Sequence, residues 1–172
     1  EAHAEVNALE KINYKGENTK VYITLEPCSH FGKTPPCAEA LIRAGVKKVF
    51  IAMLDPNPLV SGRGMRVLQD SGIEVEVGLL EEEANKINRG FVKRMTTGLP
   101  FVTSKIAMSL DGRTAMKNGE SKWITSEASR EDVQMLRSLN QAILTGSGTI
   151  KSDNPMMTVR TENADSNPLR VV

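Results

Sequence analysis

Aromatic side chains are scarce in this chain: four phenylalanines, two tyrosines and a single tryptophan among 172 residues. A protein that stacks the bases of a single strand needs an aromatic platform in a basic groove. The charge excludes that partner as well, because 22 Lys and Arg against 21 Asp and Glu leave a net charge of +1 and no basic footprint. No apolar run approaches the roughly 20 residues that span a bilayer, and no signal peptide is visible. The expectation is a cytoplasmic chain with no membrane or nucleic-acid partner. No G-x-G-x-x-G follows a strand-like run, which argues against a dinucleotide-binding domain of that kind. Cysteine and histidine are rare too, at two each. In a chain read as cytosolic, spaced cysteines more often bind metal or do chemistry than form a disulfide.

These rare residues are concentrated. Both cysteines lie in TLEPCSHFGKTPPC, Thr24 to Cys37, and the histidines are His3 and His30. His3 opens HAE, which sets a carboxylate, Glu5, two residues on. A catalytic zinc typically takes three protein ligands and leaves its fourth position to water. His3, Cys28 and Cys37 supply three ligands, and Glu5 supplies an acid–base group that need not touch the metal. H-x-E…P-C-x-x-C is the signature of zinc nucleobase deaminases. This chain departs from it in spacing its cysteines C-x8-C, with SHFGKTPP between. Cys37 stands where a helix is expected to begin, and the positive end of a helix lowers a thiol's pKa. Two blander readings stay open. Glu5 is also an ordinary first-turn carboxylate, and His30 as a fourth ligand would close the site into a non-catalytic structural zinc module.

The hydrophobic pattern alternates in type. Ala4 to Ile12 carries apolar residues at helical spacing, and Val21 to Leu25 reads as a buried strand. Cys37 to Ala44 reads as a helix between Pro35-Pro36 and Gly45. Val46 to Met53 is a second strand, Asp55-Pro56-Asn57-Pro58 a loop and Gly64 to Ser71 a helix. Ile73 to Val77 is a third strand, and Leu80 to Met95 a charged amphipathic helix. Strand and helix in alternation predict an α/β layer with parallel neighbours. Thr96 to Pro100 breaks the pattern and sets a domain boundary near residue 98. Beyond it Phe101 to Met108 reads as a strand, Asp111-Gly112 as a turn and Ser126 to Leu139 as a helix capped by Ser126. Ala142 to Thr145 is a strand running into Gly146-Ser147-Gly148-Thr149, a turn whose backbone N–H groups suit phosphate.

HAE, TLEPCSHFGKTPPC, DPNPLVSGRG, SLDGRTA, SKWITS and DNPMMTVR, in this order, resemble the bifunctional deaminase/reductase family of riboflavin biosynthesis. The resemblance runs the length of the chain. It implies a cytidine-deaminase-like three-layer domain over residues 1–97, followed by the N-terminal part of a dihydrofolate-reductase-like domain over 98–172. The first would hydrolytically deaminate 2,5-diamino-6-(5-phosphoribosylamino)pyrimidin-4(3H)-one. The second would reduce the ribosyl group of the product with NADPH, giving 5-amino-6-(5-phosphoribitylamino)uracil. By similarity His3, Cys28 and Cys37 hold Zn2+ and Glu5 shuttles the proton. Lys33, Asp55 and Asn57 would contact the substrate's phosphoribosyl arm, although Lys33 also reads as a solvated loop lysine. In the second domain Ala107, Trp123, Thr149 and Asp153 match NADP-contacting positions, and Ser121, Arg137, Met157 and Arg160 match substrate-contacting ones. Arginine forks suit phosphate.

The chain starts at Glu1, two residues before a candidate ligand, and stops in a segment that reads like the opening of a strand. It is therefore expected to be a piece of a longer protein. Open sheet edges would favour a homo-oligomer. The rival function is a nucleoside or nucleic-acid zinc deaminase, which would need the basic, aromatic surface that is missing.

Overall fold

The computed structural model describes every residue except 1, 33, 59 and 162–165. The chain separates into two compact units, Glu1–Thr103 and Ser104–Val172. Residues after Gly98 stay with the first unit because Arg89 lies over the Phe101 ring, 4.7 Å from its centroid, and Arg94 donates to the Gly98 carbonyl.

Unit 1 runs α1 (Ala4–Lys11), β1 (Lys20–Ile23), α2 (Cys37–Arg43), β2 (Lys48–Ile51), α3 (Arg63–Asp70), β3 (Glu74–Val77), α4 (Glu81–Ile87) and α5 (Arg89–Thr97). The strands form one parallel sheet in the order β1-β2-β3, with Val21 opposite Val49 and Val49 opposite Val75. Parallel neighbours need a crossover, and α2 and α3 provide the two. Strand side chains alternate between faces. Val21, Ile23, Val49, Ile51 and Val75 point to one face and pack with Leu9, Leu41 and Leu68 of the first three helices. On the other face Tyr22 and Phe50 stack at 4.6 Å, and Lys48 pairs with Glu74 and Glu76.

The predicted helix over Leu80 to Met95 is two helices. Asn88 (φ −96°, ψ 12°) interrupts it, and its side-chain amide donates to the Ala84 carbonyl at 3.0 Å. A short amide that bonds its own backbone competes with regular helix geometry.

Unit 2 contains α6 (Glu127–Ser138), β4 (Ala142–Leu144), α7 (Ser147–Asp153) and β5 (Leu169–Val171), with β4 and β5 paired in parallel. Ser126 caps α6 by accepting from the Ser129 N–H at 3.2 Å. Gly112 makes the predicted turn with a positive φ of 79°. The Gly146-Ser147-Gly148-Thr149 stretch, expected as a turn, opens α7 instead. The strand predicted over Phe101 to Met108 is not formed. Its sequence suits a strand, but a strand exists only with a ladder partner, and here Val102 and Ile106 are largely exposed.

Two glycines at the second position of a helix make a testable contrast. A Cβ at Gly64 of α3 would lie 2.0 Å from the Pro27 carbonyl oxygen, whereas one at Gly90 of α5 would meet nothing within 4 Å. Gly64→Ala should destabilise unit 1 by more than about 2 kcal/mol, and Gly90→Ala should stabilise it by up to about 1 kcal/mol. Urea unfolding of both variants checks the pair.

Candidate functional site

Two helix starts and one strand exit converge in unit 1. His3 is the N-cap residue of α1, with extended backbone (φ −71°, ψ 160°) and a carbonyl that accepts from Asn7 at 3.0 Å. Its ring makes no capping bond and is directed to the cysteines. His3 Nδ1 lies 3.2 Å from Cys37 Sγ and 3.7 Å from Cys28 Sγ. Cys28 follows β1 and serves the start of α2. Its Sγ lies 3.3 Å from the Cys37 N–H, and its carbonyl accepts from the Ala38 N–H at 3.1 Å. The first N–H groups of a helix have no partner within it, so Cys28 both caps α2 and sits against Cys37.

The three ligand atoms lie within 4.8 Å of one another, with His3 exposed, Cys28 half-buried and Cys37 buried. A tetrahedral zinc with Zn–S near 2.3 Å and Zn–N near 2.05 Å would set N and S about 3.6 Å apart and two sulfurs about 3.8 Å apart. The two N–S separations lie around the first value and all three atoms lie within 4.8 Å, so the donor set fits the ion. His30 is exposed and does not join this group. Both cysteines are free thiols.

Helix-end lowering of the Cys37 thiol does not prevail. Burial first, then the charge of Glu5 and the neighbouring Cys28, push the Cys37 pKa well above the ordinary thiol range. A fully buried sulfur loses its solvation, which disfavours the thiolate in the absence of a metal. The same influence places the half-buried Glu5 carboxylate beside Cys37.

The Asp55–Asn57 loop is tied to this region by Glu26, the residue two before Cys28. Its carboxylate accepts from the N–H groups of Asp55 (3.1 Å), Gly62 (2.9 Å) and Met65 (3.1 Å). Within the loop the Asp55 carboxylate accepts from the Asn57 N–H at 2.8 Å. Lys33 lies outside the described residues. Sequence reasoning passed over Glu26, although a carboxylate ending an apolar strand before a proline is a visible signal.

In unit 2, Arg137 and Arg160 are brought together. The Arg137 guanidinium is half-buried, donates to the Thr158 carbonyl at 2.8 Å and has its pKa lowered by burial and then by the charge of Arg160. Gln134 accepts from the Arg160 N–H at 3.1 Å, and Met157, buried with a positive φ of 55°, leads into this segment. Thr149 and Asp153 stand one turn apart on α7, both exposed. Trp123 is exposed, and the Arg130 guanidinium lies 4.4 Å from its ring centroid while donating to the Thr125 carbonyl. Arg130 is a second residue the sequence did not flag. Ala107 is half-buried and Ser121 exposed. Among the described residues no hydrogen bond or ion pair joins Ala107, Ser121 or Trp123 to the arginine pair.

An apolar cleft of about 230 Å³ lined by Tyr22, Phe50, Leu79, Leu80 and Ile87 contains none of these groups.

Because the sulfurs bind metal as thiolates, zinc uptake must expel protons held by a thiol with a raised pKa. Zinc affinity should fall as pH is lowered, by up to about tenfold per pH unit for each thiol that must ionise. Chelator competition at several pH values measures it, and Cys28→Ser should weaken binding at all of them.

Comparison with known proteins agrees with this geometry. Residues 1–53 match the cytidine and deoxycytidylate deaminase zinc-binding region, and residues 100–172 match the RibD C-terminal domain. Riboflavin biosynthesis protein RibD of Bacillus amyloliquefaciens is 54% identical over 172 residues, covering 100% of this chain and 46% of that protein. The protein of the same name from Escherichia coli K12 is 54% identical over 165 residues, covering 96% and 45%. Among solved structures, Acinetobacter baumannii RibD, form 1, superposes with a TM-score of 0.93 at 51% identity, covering 99% of this chain and 49% of that one. A diaminohydroxyphosphoribosylaminopyrimidine deaminase/5-amino-6-(5-phosphoribosylamino)uracil reductase of Thermotoga maritima gives 0.90 at 44% identity, covering 99% and 49%. The chain spans about half the length of these relatives.

Proposed function

We propose that this chain, which belongs to the RibD family of riboflavin biosynthesis proteins, performs zinc-dependent hydrolytic deamination in its first domain and contributes to an NADPH-dependent reduction in its second. The domain boundary expected at 97/98 lies close to the division of the compact units at Thr103 and Ser104. The substrate of the first is 2,5-diamino-6-(5-phosphoribosylamino)pyrimidin-4(3H)-one, and its deaminated product is reduced in the second to 5-amino-6-(5-phosphoribitylamino)uracil. The observation that carries the reading is the convergence of His3, Cys28 and Cys37 with the Glu5 carboxylate beside Cys37.

Zinc bound by one imidazole and two thiolates supplies Lewis acidity, which lowers the pKa of water to about 7. Glu5, which is not among the three ligands, would carry one proton of the attacking water to the ring nitrogen and then the second, from the hydroxyl so formed, to the amino group, which leaves as ammonia while the carbonyl forms. That is general base followed by general acid. The starts of α1 and α2 set His3 and Cys37 within reach of one another and of Cys28, so the ligands are gathered before the ion arrives. Asp55 and Asn57 orient the phosphoribosyl arm from a loop that Glu26 ties to the ligand segment, with Lys33 as the phosphate partner.

In the second domain NADPH supplies hydride when bound. The exposed Trp123 ring, backed by Arg130, offers it a flat face, and Thr149 and Asp153 offer a hydroxyl and a carboxylate one helical turn apart. Ala107 completes that set. Arg137 and Arg160, two cations held close, form the phosphate grip for a substrate that Ser121 and Met157 help to seat. Free thiols suit a reducing cytoplasm. In the three-stranded sheet β1 and β3 have unpaired outer edges among the described residues, which supports association into a homo-oligomer. A closed structural zinc module is disfavoured because His30 stands apart from the ligands.

Glu5→Gln in the full chain should retain one zinc per chain and lose ammonia release by at least about a hundredfold. Metal analysis with an ammonia assay on the diaminopyrimidine substrate reads both, and a fully active variant would sink the assignment. Arg160→Ala should raise KM of the reduction by roughly tenfold, through loss of one charge-assisted contact. Steady-state kinetics of NADPH oxidation check this.

A further inference from the structure

We infer that Glu26 is a positioning residue, one that holds the Asp55–Asn57 loop in register with the metal ligands and thereby sets substrate affinity. The inference rests on the deaminase reading for its second half only. Glu26 is 4% exposed and is the one buried charged residue among those described. No cation faces it. Its two oxygens instead gather three backbone N–H groups from one stretch of chain: Asp55 at the loop's start, Gly62 at its end and Met65 in the first turn of α3. Its own N–H donates to the Met53 carbonyl at 3.0 Å, which joins the exit of β1 to the exit of β2. Gly64 brings α3 so close that a Cβ there would also lie 3.2 Å from Glu26 Oε1. Pro27, fully buried, then connects this clamp rigidly to Cys28.

The acceptor count decides what a substitution does. Gly62 and Met65 stand at the start of α3, where N–H groups have no acceptor within the helix. Asp55 and Gly62 address one oxygen and Met65 the other, so the site needs acceptors on both sides. Glutamine keeps the shape and replaces one acceptor by an NH2 donor that faces an N–H. The remaining oxygen keeps either the Asp55 and Gly62 pair or Met65, and the other side is released, without a cavity.

The test is Glu26→Gln in the full chain. Amide hydrogen exchange should speed up at Met65, or at Asp55 and Gly62 together, according to the side the NH2 faces, while Val49 and Ile51 of β2 keep their protection. Zinc should remain at one per chain. KM for the diaminopyrimidine substrate should rise by about tenfold or more, the equivalent of one such bond, with kcat within about threefold. Unchanged exchange at those three amides overturns the clamp. An unchanged KM, or a fall in kcat at constant KM, overturns its role in affinity. No ammonia from the unaltered chain would remove the deaminase reading and the affinity half with it, whereas exchange reads the clamp either way. If the variant does not fold, the unaltered chain decides: Gly62 and Met65 amides as slow as those of β2 support the clamp, and amides as fast as those of an exposed loop overturn it.

Discussion

A parallel sheet returns its chain by crossover, so the exits of all its strands lie along one edge. In unit 1 that edge gathers the chemistry. β1 exits into Glu26, Pro27 and Cys28, and β2 exits into Met53 and the Asp55–Asn57 loop. The helix that follows β1 begins at that edge with Cys37, and α1 brings His3 to it. Apolar packing of one sheet face on α1, α2 and α3 keeps the register in which these ends coincide. Every distance in the metal centre is inherited from that register, since no ligand comes from the interior of an element.

The sequence made much of unit 1 legible. The β-branched runs at Val21 and Val49 and the glycine stops at Gly45 and Gly72 marked its elements, and the rarity of His and Cys marked the cluster that could hold a metal. The failures have physical causes. Asn88 divides a helix through a side-chain bond that hydrophobic periodicity cannot register. Cys37 was expected to benefit from its helix start, but burial dominates, and burial is a property of the packed chain. Phe101 to Met108 has strand composition and no partner, and pairing is a non-local fact. Glu26 stood in view as a carboxylate between an apolar strand and a proline, but its partners are backbone N–H groups, which side-chain patterns do not name.

The second unit shows the other limit of reading from residues. Its candidate groups are spread over α6, α7 and two irregular segments, and only the Arg137–Arg160 approach is visible as a local event. The charge of Arg160 adds to burial in lowering the Arg137 pKa, a repulsion that an anion bound by both would relieve. Trp123 and Arg130 show how an exposed aromatic is held in place by a neighbour that sequence spacing does not single out.

The bonds at the root of the cysteine insert have a consequence for how such a site varies. Cys28 holds the start of α2 through its sulfur and its carbonyl, so the chain between the two cysteines is closed at its base. The separation of the two sulfurs in space is therefore independent of their separation along the chain. Lengthening such a loop is cheap, about 0.6 kcal/mol for each doubling. The insert is a place where reach and selectivity can drift while the metal chemistry beneath stays constant.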